Sequence, residues 1–160
     1  MAEYDYVVSS LKVKQSSIFK LEDIYKLLKK YLSYHGYAVG EGEYTDTEKK
    51  QLSVKWLAFK KIDDYSMFMI EVNLKAKDLE HETVRSKKMQ KGEVEIVFSS
   101  YIKSDYEDYW EEKGTSKFLR GIYDKFALKS KAEKYASQLK EETYAAYDEM
   151  KSYLKLHLLK

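Results

Sequence analysis

The sequence predicts an α+β fold: an antiparallel β-meander of about four strands, packed by an N-terminal helix and a long C-terminal helix, in one domain over residues 1–160. Apolar residues recur at helical spacing before residue 36 and again after residue 105. Between those stretches the period drops to two. Helices that flank a block of strands without interleaving mark α+β rather than a parallel α/β fold.

Taken in order, "EYDYVVSSLKVK" reads as a weak strand, and "SSIFKLEDIYKLLKKYLSYHGY" as the first helix. Leu21, Ile24, Tyr25, Leu28, Tyr31 and Leu32 form its apolar stripe, with Lys26, Lys29 and Lys30 mostly off it. Ser17 suits the N-cap, and Gly36 stands where a left-handed residue would end the helix. "AVGEGE" reads as a glycine-containing turn. In "QLSVKWLAF", Leu52, Val54, Trp56 and Ala58 share one face, while Leu57 and Phe59 thicken the other.

Asp63 and Asp64 make a turn into "YSMFMIEVNLKAK", with Phe68, Ile70, Val72, Leu74 and Ala76 on one side, so the two segments form an antiparallel hairpin. The polar "DLEHETVRSKKMQKG" holds a short strand pair or a loop. "GEVEIVFSSYI" alternates with Val94, Ile96, Phe98 and Ile102 inward. Asp105 caps a short helix that Gly114 ends, and Ser116 caps a second carrying Phe118, Leu119, Ile122, Tyr123 and Phe126. From about Lys129 to Leu158, Tyr135, Leu139, Ala146, Met150, Tyr153 and Leu154 line one side of a helix roughly 40 Å long, enough to cross a sheet.

Composition narrows the function classes. Hydrophobic residues are 44% and charged residues 35%, too apolar for disorder and too charged for a membrane protein. No apolar run approaches the roughly 18–20 residues of a bilayer span, and the N-terminus lacks the pattern of a secretory signal. The expectation is a soluble cytoplasmic protein without membrane contact. With no Cys there is no disulfide, thiolate nucleophile or Cys-ligated zinc.

Motifs that carry chemistry are scarce in this sequence. "GYAVGEG" does not fit G-x-G-x-x-G, and "EKGTSKF" lacks the order a phosphate-binding loop needs. His35, His81 and His157 lie far apart, and in an extended "EHE" His81 points away from Glu80 and Glu82. Paired acids such as Asp63 with Asp64 or Glu141 with Glu142 read as solvated turns and helix faces. No catalytic residue, metal site or cofactor is expected, and the chain reads as a non-enzyme.

Nucleic acid is disfavoured by a pI of 8.4, by acids beside every lysine run, and by the acidity of "DYEDYWEE". One condition reverses that expectation. If the outward lysines of the strands gather on one face, a sheet that binds single strands weakly results.

The 16 tyrosines remain. Tyr buries a ring while its hydroxyl needs a partner, so Tyr stripes usually mark the margin of a core. Tyr106, Tyr109 and Trp110 share one helical turn and read chiefly as packing of that helix onto the sheet, with an interface as the rival reading. With Arg120, one of two arginines and neighbour to Gly121, and Tyr123, they are the candidate binding residues.

"VKWLAFKKIDDY", "KGEVEIVFSSYIKSDYEDYW" and "KFLRGIYDKF" together resemble a set of small archaeal α+β proteins of uncharacterised activity, over roughly residues 20–158. That resemblance implies no activity, ligand or site residue. The architecture is also similar to helix-grip domains, in which a sheet curves around a long terminal helix to enclose an apolar cavity. Three binding expectations follow. The first is a protein partner or homo-oligomer through aromatic helical surface, which requires an exposed apolar patch. The second is a small apolar ligand, which requires a cavity of a few hundred Å³. The third is nucleic acid, which requires positive charge concentrated on one face.

Overall fold

The computed structural model describes residues 3–47, 51–104 and 128–156. Their order is β1 (Glu3–Phe19), α1 (Leu21–Tyr34), β2 (Ala38–Thr47), β3 (Gln51–Lys61), β4 (Ser66–Val84), β5 (Lys87–Ser104) and α2 (Leu128–Leu156). The class is α+β, as the periodicity predicts. The sheet has five strands rather than about four, in the order β1-β5-β4-β3-β2, with every neighbouring pair antiparallel. Strands β2 to β5 form the meander, and β1 joins it beside β5.

The extra strand is β2, where a glycine turn was expected. Gly40 and Gly42 sit within a ladder that runs from Ala38↔Phe59 to Thr47↔Gln51, broken by one irregularity between Glu41 and Glu43. An edge strand tolerates glycine where a bulge bends it. The polar stretch after residue 77 is a hairpin of ladder, not a loop: β4 and β5 stay paired as far as Val84↔Lys87. Its two turn residues, Arg85 and Ser86, have φ of 50° and 66°. Positive φ at both central positions is the type I′ pattern that matches the twist of a two-residue hairpin.

Helix α1 begins differently from expectation. Ser17 is not its cap but lies fully buried in β1, where its hydroxyl donates to the Leu154 carbonyl at 3.4 Å. The N-cap position is Lys20, without a side-chain cap. The Leu21 amide is instead satisfied by Gln90 Oε1 at 3.1 Å, from the neighbouring hairpin. The far end behaves as predicted. Gly36 has φ +89°, Tyr37 N donates to Leu32 O at 2.9 Å, and Gly36 N to Ser33 O at 3.0 Å, which together make a Schellman closure.

One face of the sheet carries the core. Leu52, Val54, Trp56 and Ala58 of β3, Phe68 to Ala76 of β4 at alternate positions, and Val94, Ile96 and Phe98 of β5 all point to it and are buried. Ile24, Leu28 and Leu32 of α1 and Leu139, Ala146, Met150 and Leu154 of α2 close over them. Each large side chain buried this way contributes about 2 kcal/mol. No described helix is long and apolar enough to cross a membrane.

Candidate functional site

Tyr106, Tyr109, Trp110, Arg120 and Tyr123, and the two short helices expected around them, lie outside the described residues. What the described residues do bring together is an aromatic row on the sheet face opposite the helices. Across four strands the register aligns Tyr6↔Tyr101, Tyr101↔Met69 and Met69↔Phe59. These positions alternate with Ile102, Ile70 and Ala58, which belong to the core, so the row faces away from α1 and α2.

Tyr101 and Met69 form the floor of the row, each 7% exposed. Tyr6 at 62%, Tyr4 at 55% and Phe59 at 42% stand above it. The tyrosines are braced rather than loose. Tyr101 meets Tyr4 edge-on at 5.5 Å between ring centroids and Tyr6 at 5.1 Å in a tilted contact. Its hydroxyl donates to Glu71 Oε1 at 3.5 Å, and burial, then the Glu71 charge, pushes its phenol up to about 12.

The next rows along the same face carry lysine. Lys103 pairs in register with Tyr4 and Met67, and Met67 with Lys61. Toward the other end, Lys12, Lys14, Lys55, Lys75 and Lys77 occupy outward positions beside Glu71, Glu93, Glu95 and, by register, Glu43. Most of those acids are engaged. Glu93 takes Lys14 at 2.9 Å and Lys77 at 3.5 Å, Glu95 takes Lys12 at 3.6 Å, and Glu71 accepts from Tyr101. The Lys14 hydrogen bond holds the Glu93 carboxyl below its ordinary value.

Lys75 and Lys103 have no carboxylate partner among the described residues. A groove of about 400 Å³ opens among Lys14, Ser53, Lys75, Lys77, Glu93 and Glu95, with Leu52 and Ala76 in its lining.

The helix side offers a different cluster. Lys60 Nζ donates to Glu142 at 2.9 Å and to the His35 carbonyl at 3.0 Å, and lies 4.5 Å from the centre of the Tyr37 ring. Tyr37 donates its hydroxyl to the same carboxylate at 2.5 Å, and Gln138 adds a hydrogen bond at 3.3 Å. Every charged atom there is occupied by another member, which describes a latch and leaves no group free for a substrate.

Among the described residues, the centre of the sheet–helix contact is closely packed. Phe68, Ile70, Leu74, Val94, Ile96, Phe98, Leu139, Ala146 and Leu154 are all 0% exposed, so no water-sized space borders them. An apolar cavity under α2 therefore has no room against these side chains.

Sequence reading missed Tyr4, Tyr6 and Phe59 as partners. Tyr4-Asp5-Tyr6 places both rings on one strand face, and the alternation of "QLSVKWLAF" puts Phe59 on the outer face of its strand. The cross-strand register that joins them has no local signature. No protein-family model, curated protein or solved structure matches this chain.

Proposed function

We propose that this chain is a non-catalytic binding module that presents the sheet face opposite α1 and α2 to a macromolecular partner. The row Tyr6–Tyr101–Met69–Phe59, with Tyr4 beside it, is the observation that carries this reading. A sheet face kept for solubility alone favours charged and polar outward positions, whereas here three rings stand in water on a floor of Tyr and Met. Tyr is a frequent anchor in interfaces because it offers a large, stiff contact area with a polar tip. The alternative that the rings only stabilise the fold is weakened by their exposure: Tyr4 and Tyr6 bury less than half their surface.

Native mass spectrometry of the chain purified from its own host tests the reading. The wild type is compared with a Tyr6→Ser/Phe59→Ser variant. Bound mass carried by the wild type and lost from a variant of unchanged melting temperature is the expected result. Identical spectra from the two proteins, with or without bound mass, would overturn it.

A further inference from the structure

Resting on that reading, we propose that the partner is single-stranded nucleic acid, its bases stacked on Tyr4, Tyr6 and Phe59 and its phosphates met by the lysines of the same sheet face.

Two requirements meet on this surface. A single strand is an extended polyanion that exposes planar rings, and proteins that bind it without reading sequence combine aromatic platforms with a cationic track. Tyr6 and Phe59 lie three strands apart in one row, roughly 15 Å, and the Lys14–Glu95–Lys75 row lies roughly 20 Å further along the strands. The face is thus long enough for several nucleotides.

Charge favours the polyanion. The outward positions from Tyr4 to Ser16 and their partners hold seven lysines, at 12, 14, 55, 61, 75, 77 and 103, against glutamates at 71, 93 and 95 and a fourth, at 43, opposite Lys55 in register. That is the one-sided gathering which net charge of +2 over the whole chain conceals. Lys103 lies against the ring side of the face, 5.8 Å from the centre of the Tyr4 ring, and Lys75 opens on the groove at the other end. Neither is matched by a carboxylate among the described residues, so a phosphate displaces none of the described ion pairs there.

The residue types also set the mode. Lysine is a point charge without the planar fork that reads a base edge, and among the described residues no arginine lies on this part of the face. Binding is therefore indifferent to sequence, moderate in strength and steeply dependent on salt. A protein partner of apolar surface would use the rings and gain nothing from the lysines. A duplex would use the lysines and could not reach the rings with its bases.

Fluorescence anisotropy with a labelled oligothymidylate of about 20 nucleotides, longer than a single-domain site, gives the test. The expected result is binding to the single strand that weakens at least tenfold between about 50 and about 200 mM salt. The same sequence in a duplex should bind more weakly. Tyr6→Leu and Phe59→Leu should each lower affinity about tenfold, while Tyr6→Phe retains it, because stacking needs the ring and not the hydroxyl. Lys75→Gln and Lys103→Gln should flatten the salt dependence, with far-UV dichroism unchanged. No binding at the lower salt, equal binding to duplex, or indifference to the Leu variants overturns the proposal. If the oligonucleotide fails while native spectra still show a row-dependent protein partner, the binding module stands and nucleic acid is ruled out as its occupant.

Discussion

Lys60 and Glu142 meet at 2.9 Å, tying the end of β3 to the middle of α2 across a part-buried cluster in which each side chain is about 15% exposed. Opposite charges this far from water bind each other well but leave a costly remainder if one is removed. Glu142→Ala strands the Lys60 ammonium and the Tyr37 hydroxyl together. Chemical denaturation should show a loss of about 3–5 kcal/mol. Lys60→Met combined with Glu142→Leu should recover most of it, since no charge is then left unpaired.

The β4–β5 turn is built from residues poorly suited to it. Arg85 and Ser86 both hold positive φ, and a side chain in that region costs about 1–2 kcal/mol relative to glycine. Arg85→Asn with Ser86→Gly should raise unfolding free energy by about 1–2 kcal/mol without altering the strands. Ser86→Val should lower it, because a β-branched side chain fits that backbone worst.

Gly92 faces a bulge in β4 at Lys77–Glu80, where Asp78 has φ 55°. A Cβ at Gly92 would stand 2.8 Å from the Lys77 carbonyl oxygen and 3.1 Å from Leu79 Cδ2. Gly92→Ala should cost about 1–3 kcal/mol in thermal or denaturant unfolding. Gly40→Ala is the control: its nearest neighbour would be the Leu57 carbonyl at 3.9 Å, so it should be neutral or slightly stabilising.

Alkaline pH should destabilise the fold through two phenols. Burial raises Tyr101 to about 12, and raises Tyr37 further with help from its hydrogen bond to Glu142. In the unfolded chain both titrate near pH 10. Between pH about 10 and 12 the unfolded chain sheds these protons while the folded chain keeps them, so stability falls as pH rises. Their contribution is complete below pH about 10. The melting temperature should drop across that window together with the rise in tyrosinate absorbance, and Tyr101→Phe should make the drop shallower.

Much of the architecture is legible wherever burial imposes a period. The α1 stripe, the inward residues of β3, β4 and β5 and the α2 stripe all follow the sequence pattern, because each element has one buried face. Failures occur where a distant partner replaces a local signal. Gln90 satisfies the start of α1, so Ser17 is free to sit in the core, and β2 is held by β3 despite its glycines. The site fails for the same reason. Tyr6 and Phe59 are 53 positions apart and come to share one row only through the register of β5 and β4.

The place of β1 beside β5 has a consequence for how the protein comes into being. Ser10 bonds to Ser99 across 89 residues of chain, so β1, made before the other strands of this sheet, must wait for β5 before it can dock. Until β5 arrives, Tyr4 and Tyr6 have no Tyr101 to rest on, and β5 itself has a bare edge once formed. Closure by so distant a segment is entropically slow, and the nascent chain must remain soluble through that interval. The lysines and serines spaced along β1 are suited to that wait.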